Sequence, residues 1–323
     1  MGMGEKVIVI IGPTAVGKTK LSVELAKILN GEIISGDSMQ IYKGMDIGTA
    51  KIKEEEKDGI THHLIDIIEP DESYSVAQFQ KSVRELISKI HKRGKMPIIV
   101  GGTGLYIQSV LYDYQFSEKG QNEQIRIKLE REVQQLGNDY LYQKLKEVDP
   151  KSAELIHPNN VRRVIRALEV YESTGIKFSE ATNEREEKLL YDVALIGLTM
   201  DRDKLYERIN MRVDIMLEEG LLQEVKGLYN IGINDCQSIQ AIGYKELYSY
   251  LDGNISFEEA IQQLKQNSRR YAKRQLTWFR NKMEVTWFDM TEHSVDEKLS
   301  EILTFVAGKL QLEANIKHYN YRD

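Results

Sequence analysis

The chain has 323 residues, 41% of them hydrophobic and 29% charged, with a formal net charge of −6. This is the composition of a globular protein large enough for one α/β domain with an insertion, or for two domains. Its acidic balance argues against a uniformly basic nucleic-acid-binding chain but leaves room for local basic patches. The lone cysteine, Cys236, excludes a disulfide framework or a multi-cysteine zinc site within the chain. No stretch is long and apolar enough to span a membrane, and the N-terminal apolar run is too short for a signal peptide, so a reducing cytoplasm is the expected compartment.

Residues 6–11 form an apolar run that reads as a buried strand and leads directly into Gly12, Pro13, Thr14, Ala15, Val16, Gly17, Lys18 and Thr19. Glycines free the backbone so that successive N–H groups turn toward an anion, Lys18 adds a point charge, and Thr19 offers a hydroxyl to Mg²⁺. A helix expected over 18–29, with Leu21, Leu25, Ala26 and Leu29 on one stripe, adds its positive end. The constellation grips a chain of phosphates, without saying whose. A short strand over 32–35 ends at Gly36 and Asp37. Ser75 then caps a helix carrying Phe79, Val83, Leu86, Ile87 and Ile90, which stops near Gly94, and a third apolar strand over 97–100 closes at Gly101 and Gly102. Strands alternating with helices predict an α/β fold, a P-loop-type parallel sheet flanked by helices, with ligands at the carboxyl ends of the strands.

From residue 112 the chain turns polar and helical, with helices expected over 122–136, 139–148 and 160–174 and no strand-like run until 193–198. Residues 112–192 therefore read as an all-helical insertion domain within a core of 1–111 and 193–314. Further helices are expected over 201–219, 240–251 and 256–281, the last announced by a capping box of Ser256 and Glu259. A strand over 285–288, an amphipathic terminal helix and a frayed tail over 315–323 complete the expectation.

The chemistry is narrowed by what the third strand lacks. A motor or switch NTPase needs an acid there to hold the water shell of Mg²⁺, yet residues 97–100 run into Gly101, Gly102, Thr103 and Gly104. The acid follows the second strand instead, at Asp37, where it can face a second substrate across the phosphate loop; the plainer reading is a turn residue. The second glycine-rich turn, 101–104, either lines the site or lets helix and strand pack closely. Basic residues gather at Arg162, Arg163 and Arg166, at Arg208 and Arg212, and at Arg269, Arg270, Lys273 and Arg274 around Tyr271, followed by Gln275, Trp278 and Phe279. Cations interleaved with aromatics suit a phosphate backbone with stackable bases, although Glu169 and Glu172 could neutralise the first group. His62 and His63, adjacent on an extended stretch, point to opposite faces and read as structural rather than metal-binding.

Several segments together resemble the bacterial tRNA dimethylallyltransferase family: 12–19, 35–42, 46–51, 100–106, 160–169 and 271–279, in that order, within a likeness running from the first strand to about residue 290. The family transfers a five-carbon prenyl group from dimethylallyl diphosphate to the exocyclic amine of the adenine 3′ of the tRNA anticodon. The resemblance implies that Gly12 to Thr19 hold a leaving diphosphate, with Mg²⁺ near Thr19, and that Asp37, Thr103 and Arg212 are catalytic. It also implies contacts with the tRNA anticodon stem-loop by Asp37, Ser38, Met39, Gln40, Thr103, Arg126, Val161, Arg162, Arg163, Val164, Ile165, Arg166, Gln240, Ala241, Ile242, Gly243, Tyr244, Lys245, Lys273 and Arg274. A monomer able to hold the whole site is the expected state. The alternative reading is a small-molecule or nucleotide kinase using ATP at the same loop.

Overall fold

The computed structural model describes residues 4–113, 122–181 and 188–312; the expected tail over 315–323 lies outside them. The chain divides into two compact units, Met1–Tyr112 with Leu189–Asp323, and Asp113–Lys188. No described helix is long and apolar enough to cross a membrane.

The first unit is built on strands β1 (Lys6–Ile11), β2 (Gly31–Ser35), β3 (His62–His63), β4 (Met96–Gly101), β5 (Asp192–Thr199) and β6 (Thr286–Asp289), hydrogen-bonded in the order β3-β2-β4-β1-β5-β6. Every neighbouring pair is parallel. Ile8 of β1 stands beside Ile98 on one side and Ala194 on the other. Such strands are buried on both faces and so read as continuous apolar runs rather than alternating ones.

The pleat divides their side chains between two cores. Val7, Val9 and Ile11 pack with Phe79, Val83 and Ile87 of α2 (Val76–Lys92). Ile8 and Ile10 pack with Leu21 and Leu25 of α1 (Lys18–Ile28). Ser75 caps α2 as its sequence predicts, its hydroxyl accepting from the Gln78 amide while Gln78 returns a bond to the Ser75 N–H. α3 (Gly104–Leu111) follows β4 on the face that α2 covers.

The second unit holds α4 (Glu123–Leu136), α5 (Asn138–Val148), α6 (Pro150–Leu155), α7 (Val161–Thr174) and α8 (Phe178–Ala181), around a core of Leu129, Leu141, Leu145, Val164 and Leu168. Asp149 fastens its short elements: its carboxylate accepts from the amide and hydroxyl of Ser152 and of Ser179. After β5 come α9 (Arg202–Glu218), α10 (Leu221–Asn230), α11 (Tyr244–Leu251), α12 (Phe257–Lys282) and, beyond β6, α13 (Val295–Leu310).

The differences from the sequence reading have local causes. α10 is hidden because Gly220, in the left-handed region at φ 104°, ends one helix while Gly227 weakens the next. The helix expected over 240–251 begins only at Tyr244: Ser238–Gln240 is a single 3₁₀ turn, and Gly243 at φ 102° breaks the run. β3 is two residues long, too short for its period to be read, while α6 opens on Pro150 and is a turn and a half. Glu172 does not pair with the arginines of its helix but with Lys128 and Lys144.

Candidate active site

Three loops meet at the carboxyl ends of β1, β2 and β4. The first, 12–19, owes its path to backbone freedom. Gly12 has φ 147°, and a Cβ there would lie 2.6 Å from the Leu198 carbonyl. Gly17, at φ 106°, begins α1 with no side-chain cap, so the first N–H groups of that helix remain available to an anion. Ala15 also takes a left-handed conformation, at φ 66°. The Lys18 ammonium lies against the loop's own carbonyls, donating to Gly12 at 3.0 Å and Pro13 at 2.7 Å. Burial, reinforced by the Arg212 charge and opposed by Asp37, brings the Lys18 pKa down to about 7.

The second loop carries Asp37. Its carboxylate accepts from the Met39 amide at 2.8 Å, and burial pushes its pKa up against the pull of that bond, of Lys18 and of Arg212. Arg212, on α9, reaches Thr14 Oγ1 at 3.4 Å. The three charged groups thus face one another from a phosphate loop, a strand end and a helix nearly two hundred residues away.

In the third loop, 101–104, the glycines serve close approach. A Cβ would come within 2.4 Å of the Gly36 carbonyl at Gly101, 1.9 Å of the Gln275 amide nitrogen at Gly102, and 2.2 Å of the Trp278 ring at Gly104. Thr103 stands just before α3 with no side-chain cap bond to it, and its hydroxyl instead donates to Ser38 Oγ at 3.5 Å, beside the Asp37 loop. Gln275, buried on α12, ties two loops together: its side-chain oxygen accepts from the Thr14 amide at 3.0 Å and its nitrogen donates to the Gly102 carbonyl at 3.1 Å.

Two cavities adjoin. One, of about 110 Å³, is polar and includes Lys18, Thr19, Ser35, Gly101, Gly102 and Gln275 in its lining. The other, of about 310 Å³, is walled largely by apolar groups such as Met39, Ile209, Val213, Met216, Leu221 and Leu264. Thr14, Asp37, Thr49, Ala50, Arg212 and Tyr271 line both. A charged lobe and an apolar lobe meeting at a carboxylate and a guanidinium can hold an anionic leaving group on one side and a flat, partly apolar acceptor on the other.

Most of the residues expected to act at the site converge here. Ser38, Met39, Gln240, Ala241, Ile242, Gly243, Lys245 and Arg274 line the apolar lobe, and Gln40 the polar one. Thr103 lines neither, although it adjoins Ser38. The Tyr244 side chain is fully buried and its hydroxyl donates to Glu224 at 2.6 Å, behind the wall of the apolar lobe. Lys273 is exposed on α12.

Arg126, Val161, Arg162, Arg163, Val164, Ile165 and Arg166 belong to the helical unit. The side chains of Val164 and Ile165 belong to its core. Arg126 and Arg166 both bind Glu169, at 3.0 and 2.9 Å, whose side chain is 1% exposed. That leaves Arg162 and Arg163 as the exposed arginines of α7. His63 meets Glu32 at 2.7 Å and His62 its own loop carbonyl at Ile60, and the described residues contain no cluster of three or more metal-ligating side chains.

Sequence reasoning missed Gln275 and Tyr271 as site residues, although they stand four apart on one face of α12, and missed Thr49 and Ala50. A signal for Gln275 existed: it is a polar residue on the stripe of Ala272 and Phe279, both buried. Burial pushes the Tyr271 phenol up to about 12, with Thr103 and Gln275 as its hydrogen-bonding neighbours.

Comparison with known proteins agrees with this geometry. The model of the IPP transferase family matches residues 40–282. The chain belongs to the IPP transferase family. Among relatives, a tRNA dimethylallyltransferase of Bacillus cereus is 66% identical over 311 residues, covering 96% of this chain and 97% of its own. One from Bacillus anthracis is 65% identical over the same length, covering 98% of its own chain. Among solved structures, the tRNA isopentenylpyrophosphate transferase of Bacillus halodurans aligns with TM-score 0.74 at 58% identity, covering 98% of this chain and all of the other. A eukaryotic dimethylallyltransferase acting on tRNA aligns with TM-score 0.80 at 34% identity, over 94% of this chain and 80% of the other. Fold and family membership are therefore secure across both units.

Proposed function

We propose that this IPP transferase family member moves a dimethylallyl group from dimethylallyl diphosphate to the exocyclic N6 of the adenosine 3′ of a tRNA anticodon, releasing diphosphate. The observation that carries this reading is the junction of a phosphate-gripping lobe and an apolar lobe at Asp37, Thr14 and Arg212. Relatives covering nearly the whole chain are named for transfer to tRNA. The missing acid on β4 fits a loop that holds a leaving group rather than an ATP to be hydrolysed.

In this reading a bond forms between N6 and the allylic carbon as the bond from that carbon to the diphosphate oxygen breaks. An exocyclic amine is a weak nucleophile, so an acceptor for its proton matters. Asp37, whose burial raises its proton affinity, takes that proton. Charge gathering on the diphosphate is met by the loop N–H groups, Lys18 and Arg212. The Lys18 ammonium is destabilised without an anion beside it, and a diphosphate supplies one. Thr103 supports the Asp37 loop from the start of α3.

The donor set suits Mg²⁺ if most of its ligands come from diphosphate and water, since Thr19 brings one hydroxyl to the polar lobe and, among the described residues that line that lobe, Asp37 alone brings a carboxylate. When bound, the ion would neutralise diphosphate charge, with Thr19 as its protein ligand. The target base leaves its stack to enter the apolar lobe, whose lining includes Gln240, Ala241, Ile242, Gly243 and Lys245. Arg162 and Arg163 on the helical unit, with Lys273 and Arg274 on α12, take backbone phosphates of the anticodon stem-loop. The enzyme works as a monomer in the cytoplasm.

Incubation with labelled dimethylallyl diphosphate and unmodified tRNA tests the reading. Label moves to tRNA without ATP turnover if it holds; no transfer alongside robust ATP hydrolysis would favour a kinase.

A further inference from the structure

Glu224 projects from α10, a helix with no part in the phosphate chemistry, onto the loop of Asp46, Ile47, Gly48, Thr49, Ala50 and Lys51. Its carboxylate gathers three consecutive backbone N–H groups: Asp46 and Ile47 donate to Oε2 at 2.8 Å each, and Gly48 donates to Oε1 at 3.0 Å. The Tyr244 hydroxyl adds a fourth bond to Oε1 at 2.6 Å. Gly48 lets this happen, because a Cβ there would stand 2.5 Å from the Tyr244 ring. Successive N–H groups wrapped around an anion form a nest, but here the anion is part of the protein.

The far end of the loop is held from the opposite side. Gln40 donates to the Thr49 and Ala50 carbonyls at 3.2 and 3.3 Å, and its own oxygen accepts from Ser35 Oγ at 2.9 Å. Ser35 Oγ in turn accepts from the Asp37 amide at 3.4 Å. Lys51, whose side chain is 5% exposed, binds Asp46, Asp66 and the Tyr42 carbonyl. Between these fastenings lie Thr49 and Ala50, two of the six residues that line both lobes.

We propose that Glu224 is a positioning residue for the transfer reaction: by clamping the backbone of 46–48 it fixes Thr49 and Ala50 at the junction of the lobes and, through Gln40 and Ser35, steadies the segment that carries Asp37. The inference rests on the prenyl-transfer reading for its kinetic consequence, but the clamp itself can be measured without it. An ionised carboxylate accepts four bonds here. An amide keeps one oxygen and turns an NH₂ toward N–H groups, so Glu224→Gln unfastens one side of the clamp with almost no change of volume.

The test compares Glu224→Gln, Glu224→Asp and Tyr244→Phe with the unaltered chain in three measurements: amide hydrogen exchange at 46–48, the melting temperature, and kcat and KM for each substrate. In Glu224→Gln, exchange at the three amides accelerates at least about tenfold and kcat falls about 10- to 100-fold, the scale expected when reacting groups are misplaced by a fraction of an ångström to an ångström. The KM for dimethylallyl diphosphate stays within about twofold, because the phosphate loop is untouched. Tyr244→Phe keeps the three N–H bonds and loses less than about fivefold in kcat. Glu224→Asp keeps the charge and falls between the two in both exchange and kcat, and it carries the test if the amide variant does not fold.

Full kcat in a Glu224→Gln variant with fast exchange overturns the proposal. So does a loss that follows only the melting temperature, or one that lies wholly in the KM for the diphosphate. An unaltered chain that transfers no prenyl group overturns the prenyl-transfer reading instead, and the exchange result then stands alone as a measure of the clamp.

Discussion

Two glycine-rich turns leave the same edge of the sheet, and their glycines do different work. In 12–19, Gly12 and Gly17 sit in the left-handed region, at φ 147° and 106°, conformations that a side chain would strain. In 101–104, no glycine has a positive φ. There the missing side chains make room for Gly36, Gln275 and Trp278 to touch the turn. One turn is glycine-rich for its conformation and the other for its neighbours. Gln275 bonds to both, so one side chain ties the two turns together.

The contrast is sharpest in substitutions that separate grip from packing. Lys18→Met removes the charge in the first turn and should lower kcat/KM for dimethylallyl diphosphate by about 10³-fold, with melting unchanged or improved, since a partly desolvated ammonium is lost. Steady-state kinetics with a melting curve decides it, and a loss below tenfold would mean that the first turn is not the diphosphate site.

The same lysine gives a pH signature. Its pKa in the free protein is held down to about 7, below the usual lysine range, so above that pH diphosphate binding must take up a proton. Affinity for diphosphate should therefore fall as pH rises above 7, approaching about tenfold per unit until the pKa of the bound state is reached. Titration calorimetry from pH 7 to 9.5 measures this slope, and Lys18→Met should flatten it.

The smallest effect belongs to the second turn. Gly104→Ala drives a methyl into the Trp278 ring and should cost about 1–3 kcal/mol, a drop in Tm of roughly 2–8 °C, while kcat per folded molecule stays within about threefold. A variant that melts normally but loses turnover would move the second turn from packing into chemistry.

What could be read in the sequence follows the range of the interactions involved. β1, β2, β4 and β5 were legible because buried parallel strands are apolar throughout, and the phosphate loop because its residue types carry their own mechanism. Asp37 was legible from its place at a strand end. Gln275 meets Thr14 across 261 residues of sequence, and Glu224 meets Asp46 across 178. The apolar stripe of Ala272 and Phe279 marks Gln275 as a buried polar residue, but no local pattern names the partner of either side chain. Similarly, Val164 and Ile165 share a motif with Arg162 and Arg163 but fall on the buried face of α7, a division fixed only once the neighbouring helices pack. The 46–51 segment was visible as part of a resemblance, whereas its reason, a backbone folded around Glu224, required the fold.

The central claim is that Asp37, facing the phosphate loop across the junction of the lobes, receives the proton of the attacking amine. Single-turnover transfer by Asp37→Ala, measured beside its tRNA affinity at matched salt, tests it most directly. The expected result is a rate lowered by about 10²- to 10⁴-fold with tRNA affinity within a few-fold of the unaltered chain. A retained rate, or a loss found only in tRNA affinity, would contradict it.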